Sequence, residues 1–126
     1  MSPWLGIEPR PARLAPAGSR DLELVLADAY DAAIEIGRAL GPGLEGLDDV
    51  DWIETTIETL PMLVLRAAIS VPARRREQLD LAEGVAMRLR VAIEVLDGLG
   101  AIEGDTMRAR ACGIQARIRD ARRCCI

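Results

Sequence analysis

The residues Leu22, Leu26, Ala29, Ala33, Ile36 and Leu40 advance by 4, 3, 4, 3 and 4 positions. Only a helix of 3.6 residues per turn gathers such a series on one side, so the spacing commits 19–40 to an amphipathic helix with a heptad-like stripe. The same steps return near the other end, in Met107, Ala111, Ile114, Ile118, Ala121 and Cys125. A third series runs through Leu79, Ala82, Val85 or Ala86, Leu89, Ala92 or Ile93, Leu96 and Leu99, and Gly98 and Gly100 close it. Ser19 or Asp21 is the expected cap of the first helix, Gly41-Pro42-Gly43 its stop, and Asp105 the expected cap of the last.

Between the first and third series lies a polar connector, 44–51, and then a helical pattern with Trp52, Ile53, Ile57 and Leu60 toward one side. Pro61 either kinks this helix or sits in the first turn of a new one. Residues 62–71 are nearly all apolar, and a buried strand fits such a run by periodicity alone. No second strand candidate exists to pair with it, so the run reads as helix, and a helix apolar on most sides must be covered on most sides. In so short a chain part of that cover is expected from another subunit. Four amphipathic segments with short joints define an all-α fold, an antiparallel up-down-up-down four-helix bundle over 19–126. Residues 1–18, with Pro3, Pro9, Pro11 and Pro16, read as a proline-rich arm; Trp4 and Leu5 either dock it on a neighbour or belong to a frayed end.

Composition excludes whole classes of chemistry. The 126 residues contain no His and no Phe, and all 16 basic residues are Arg. Schiff-base lysines, Walker-A lysines, histidine bases, histidine metal sites and Ser-His-Asp triads are therefore ruled out. Asp48, Asp49 and Asp51 lack the spacing and closing Glu of a calcium loop and are expected to cap and solubilise. Glu35, Glu54, Glu58 and Glu94 can approach one another in a bundle, but no motif demands it. No catalytic residue, metal ligand or cofactor site is assigned, and the chain is expected not to be an enzyme. Cys112, Cys124 and Cys125 give neither a disulfide framework nor a zinc site, so reduced thiols in a cytoplasmic protein are expected, with a vicinal Cys124–Cys125 pair as the alternative. Neither a membrane span nor a secretory signal is expected.

The layout of charge says more than the net −4. Residues 1–60 hold 12 acids and 4 Arg, a net of −8, whereas 61–126 hold 8 acids and 12 Arg, a net of +4. From Thr106 onward, Arg108, Arg110, Arg117, Arg119, Arg122 and Arg123 face Asp120 alone. Two readings compete. Acids of the first helix pair with arginines of the fourth across the bundle, or the arginines form a patch that contacts phosphates. With two Trp and one Tyr there is little to stack unpaired bases, so any nucleic-acid contact is expected to be backbone-directed and salt-sensitive.

The run Arg66-Ala67-Ala68-Ile69-Ser70-Val71-Pro72 resembles the helix-two signature of the four-helix-bundle family of 23S rRNA intervening-sequence proteins. Further on, Ala82-Glu83-Gly84, Arg88-Leu89-Arg90, Glu94 and Leu99-Gly100-Ala101-Ile102 look like that family's third helix and its Leu-Gly ending. The stretch is also similar to the accessory variability determinant proteins of diversity-generating retroelements. The family's Ala-Glu-Gly follows soon after the proline, whereas here it lies beyond Arg74-Arg75-Arg76. The resemblance implies a ring-shaped homopentamer. It further implies a non-catalytic accessory that binds a reverse transcriptase and its template RNA, a structured RNA or RNA/DNA hybrid. The nucleic-acid-binding positions expected on that basis are Arg74, Arg75, Arg76, Arg108, Arg110, Arg117, Arg119, Arg122 and Arg123. The alternative is an oligomeric structural adaptor with no nucleic-acid role, its arginines used in ion pairs.

Overall fold

A computed structural model describes residues 17–125 as four helices, α1 (Ala17–Leu40), α2 (Asp51–Ile69), α3 (Pro72–Gly98) and α4 (Gly104–Arg123). The arm assigned to 1–18 lies outside the described residues except for Ala17 and Gly18, which belong to α1. Ser19 and Asp21 consequently fall inside that helix rather than ahead of it. Consecutive helices pack on one another and α1 also packs on α4, which closes the square of an antiparallel bundle.

The stripes read from the sequence are the core. Leu22, Leu26, Ala29, Ala33, Ile36 and Leu40 are all buried, as are Ala111, Ile114, Ile118 and Ala121 on α4. On α3 both members of the Ala92–Ile93 alternative are buried, and Ala86 rather than Val85 is fully inside. Among the described residues eight of the 23 buried hydrophobics are alanine, which lets the helix axes approach closely. α1 and α2 approach closely at Gly37, where a Cβ would stand 2.7 Å from the Ile57 methyl. Two stripe assignments fail: Trp52 and Leu99 are exposed, because each lies at a helix end where no neighbouring helix reaches over it.

Local chemistry accounts for the joints. After Leu40 the chain makes one 3-10 turn, Gly41–Leu44, and Gly43 packs so closely on Ala101 and Ile102 that a Cβ would stand 2.8 Å from the Ile102 methyl. Val50, not one of the aspartates, is the N-cap of α2 and makes no side-chain cap bond; Asp51 and Glu54 instead place negative charge in the first turn. Asp49 takes the left-handed conformation, φ 61°, that Asp tolerates better than most residues. α2 then runs unbroken through Pro61, so 51–69 is one helix, and the Ile57 carbonyl simply finds no amide there.

At Ser70 the backbone turns extended, as it does at Val71 before Pro72. Pro72 opens α3, with the amides of Arg74 and Arg75 bonding to the Val71 carbonyl at 2.9 and 3.1 Å. The arginine triplet therefore lies within the first turns of α3. α3 ends in a Schellman turn: Gly100 at φ 72°, its amide on Asp97 O and the Ala101 amide on Leu96 O, both 2.9 Å. Glu103, not Asp105, caps α4, its carboxylate accepting the Thr106 amide at 2.8 Å. That bond holds the Glu103 carboxyl below its ordinary pKa range.

Gly37→Ala gains helix propensity but pushes the Ile57 methyl out of a packed seam that has no slack. The expected net result is a loss of about 1 kcal/mol, read as a lower midpoint in chemical denaturation. An unchanged or raised midpoint would mean that α1 and α2 do not meet at this position.

Candidate functional site

Chemistry-bearing side chains of this chain are arginines and carboxylates, and the bundle sorts most of them onto one seam. On α4, Arg108, Gln115, Arg119 and Arg122 are spaced by 7, 4 and 3, and so share a side. On α3, Asp80, Glu83, Arg90, Glu94 and Asp97 are spaced by 3, 7, 4 and 3, and do the same. The two rows run antiparallel and meet in register. Arg108 engages Glu94 through two parallel bonds of 2.6 and 3.1 Å, and also pairs with Asp97 and, at 2.7 Å, with Asp105. Arg90 donates to the buried Gln115 at 3.0 Å. Glu83 lies between Arg119 at 2.7 Å and Arg122 at 2.5 Å, and Arg122 also reaches Asp80 at 3.3 Å.

The contact of Glu83 Oε1 with Arg122 is one of charge, since its angles do not make a directed hydrogen bond. Glu83 is nevertheless the most enclosed acid of the seam, with a side chain 12% exposed. The hydrogen bond from Arg108, and then the charges of Arg108 and Arg90, outweigh desolvation and hold the Glu94 carboxyl below its usual range. A depressed carboxyl contributes stability above its unfolded pKa and loses it as pH falls through the folded value. The hydrogen bonds to Glu94 and then Asp97 push the Arg108 guanidinium upward, further into its charged form.

The pairing expected within the chain, acids of α1 with arginines of α4, is not the one this seam forms. Among the described residues Arg108, Arg119 and Arg122 reach acids of α3 and none of α1, because positions 108, 119 and 122 fall on the side of α4 that faces α3. Gly104 belongs to the same arrangement: a Cβ there would lie 2.6 Å from the Asp97 carboxylate oxygens.

Arg75 has a different task. Its Nε donates to Ala67 O at 2.9 Å, and Nη2 donates to Ser70 O at 3.1 Å and Ala68 O at 3.4 Å. It closes the C-terminal carbonyls of α2 from the first turns of α3, a helix cap supplied by the next helix. Of the nine arginines singled out in the sequence, Arg75, Arg108, Arg119 and Arg122 are thus held by the fold. Arg123 makes only a 3.4 Å contact with Asp120. Arg74, Arg76, Arg110 and Arg117 are exposed and form no ion pair among the described residues.

The nine do not form one patch. Arg74, Arg75 and Arg76 share an end of the bundle with Arg122 and Arg123, as the proximity of Arg75 and Arg76 to Cys125 requires. Arg108 lies near the opposite end, beside the α3–α4 turn. Cys112, Cys124 and Cys125 are free thiols. Partial burial pushes the Cys125 thiol up, and its Sγ–H donates to Ala121 O at 3.4 Å. Among the described residues no group of three or more Cys, Asp or Glu could hold a metal ion, and no helix is long and apolar enough to cross a membrane. Glu94, grouped with three other glutamates in the sequence, is instead occupied by Arg108.

The feature that charge and motif reading passed over is apolar. Among the described residues, ten of the eleven exposed large hydrophobics belong to α2, α3 and the residues that follow each. Met62, Leu65 and Ile69 step by 3 and 4 along the outside of α2, with Ile69 77% exposed. Met87, Val91 and Val95 step by 4 along the outside of α3, flanked by Leu81 and Leu99. α4 has none and α1 only Leu24. The signal was in the run 62–71, too apolar for a helix covered on one side alone.

Comparison with protein-family models, with curated proteins and with solved structures finds no match.

Arg75→Ala is expected to cost about 1–2 kcal/mol, since three carbonyls lose a charged donor. Arg74→Ala and Arg76→Ala should stay within about 0.5 kcal/mol of the parent. Thermal melts of the three variants check this, and equal melting temperatures would refute the capping role.

Proposed function

We propose that this protein is a non-catalytic assembly module, a helical adaptor that associates with further copies of itself through the outer side of α2 and α3. The observation that carries the reading is the concentration of exposed hydrophobics on those two helices. A soluble monomer rarely leaves a contiguous apolar patch beyond a few hundred Å² unless something binds there. The absence of lysine, histidine and any grouped metal ligands among the described residues leaves association, rather than group chemistry, as the work this surface is suited to. The resemblance to the intervening-sequence bundle proteins, carried by 66–72, agrees with an oligomeric role.

One observation favours a second reading, that of a reverse-transcriptase accessory binding structured RNA. Arg74, Arg76 and Arg123 stand at one end with at most a weak partner, beside Arg122 and Arg75. Arg110 and Arg117 on α4 are likewise exposed and without an ion pair among the described residues, so five of the nine expected positions stay open to a phosphate. Arg108 and Arg119 are spent on α3 carboxylates, and an arginine already in an ion pair must give it up to hold a phosphate.

Light scattering at two salt concentrations, with and without RNA, separates the readings. Assembly larger than one chain, unchanged by RNA and lost in the double substitution Met62→Glu with Val91→Glu, is the expected result. A monomer at every concentration would end the adaptor reading. RNA retention at low salt that vanishes in Arg74→Ala/Arg76→Ala/Arg123→Ala would establish the second reading in its place.

A further inference from the structure

We infer that the α2–α3 surface receives a second copy of this chain in the opposite direction, as a two-fold antiparallel pair. The inference rests on the reading of that surface as an assembly face and adds the geometry of the partner.

Its basis is an electrical polarity along the bundle axis. The contact of Gly43 with Ala101 and Ile102 places the α1–α2 connector and the α3–α4 turn at one end. Residues 45–54 and 97–105 there carry eight carboxylates and no arginine, with Arg38 and Arg108 the nearest cations. The ion pair Arg122–Asp80 and the approach of Arg75 to Cys125 bring the α2–α3 turn and the end of α4 together at the other. Residues 66–77 and 119–125 there carry seven arginines against the two acids Glu77 and Asp120.

The polarity reaches the assembly face itself. α2 has Asp51, Glu54 and Glu58 in its first half and only Arg66 in its second, and Arg74 follows in the first turn of α3. All five are exposed and none makes an ion pair among the described residues. Met62 and Leu65 occupy the middle of the stretch, between the acids and the arginines.

A copy laid parallel, as in a ring where every chain points the same way, sets acids beside acids and arginines beside arginines. A copy turned by a two-fold axis through the middle of α2 sets Arg66 and Arg74 of each chain opposite Glu54 and Glu58 of the other, and like charges are separated by the length of the bundle. The apolar area suffices for such a pair. The ten side chains expose on the order of 1,000 Å², against about 800 Å² per partner in a standard interface.

Charge reversal reads the direction. One variant carries Glu54→Arg with Glu58→Arg, the other Arg66→Glu with Arg74→Glu, and sedimentation equilibrium measures each alone and the two mixed. Circular dichroism confirms that both stay helical; should either double variant fail to fold, Glu58→Arg and Arg66→Glu take their places.

An antiparallel pair predicts that each variant alone loses self-association by tenfold or more in Kd, and that mixing restores a one-to-one complex. If each variant alone associates as the parent does, the copies lie parallel whatever mixing adds, and the inference is overturned while the assembly face stands. If the parent itself stays monomeric at every concentration, the assembly reading fails and this inference with it.

Discussion

A stripe of small apolar side chains stepping by 3 and 4 buries one side of a helix and leaves the rest to be accounted for. In this bundle the core is made of such stripes, with alanines in place of bulky residues, so the four helices close tightly on one another. What distinguishes the helices is what happens outside the stripe. α4 surrounds its buried positions with arginines, α1 mainly with acids, and α2 and α3 with methionine, leucine, isoleucine and valine. The last of these arrangements is stable in water only at a cost, and association is the ordinary way to remove it.

The α3–α4 seam shows why counting charge by residue number misleads. A C-terminal helix with six arginines looks like an anion site until the partner row on α3 is placed against it in register. Exposed pairs of this kind contribute little one by one, yet a network with a bidentate member and an enclosed carboxylate fixes which helix neighbours which. The seam therefore specifies the fold more than it stabilises it. Arginine suits the task, since its planar fork can hold two or three carboxylates at once, as Arg108 does.

Much of the fold was legible because 3–4 spacing is a one-dimensional signal: the stripes of α1, α3 and α4 needed nothing beyond residue order. The helix ends were less so. Ser19, Asp21, Asp48 and Asp105 have the chemistry of caps, but capping depends on where the backbone leaves the helix, which Pro72, Gly100 and the Glu103 carboxylate decide. The arginines were found as a class and not as roles. Arg75 and Arg76 are neighbours in sequence, yet only Arg75 points back at the last carbonyls of α2, and no spacing rule distinguishes them. The apolar side of α2 and α3 was half visible, since the run 62–71 demanded cover, but its continuation along α3 appears only once the buried positions are subtracted.

Hydroxyl-radical footprinting of the methionines reads directly whether the outer side of α2 and α3 is covered in solution. Met62 and Met87 lie on that surface, and the partly buried Met107 on α4 serves as an internal reference. Oxidation of Met62 and Met87 should slow as protein concentration rises while that of Met107 stays constant. Rates for all three that remain at their dilute values at the highest attainable concentration would contradict the account.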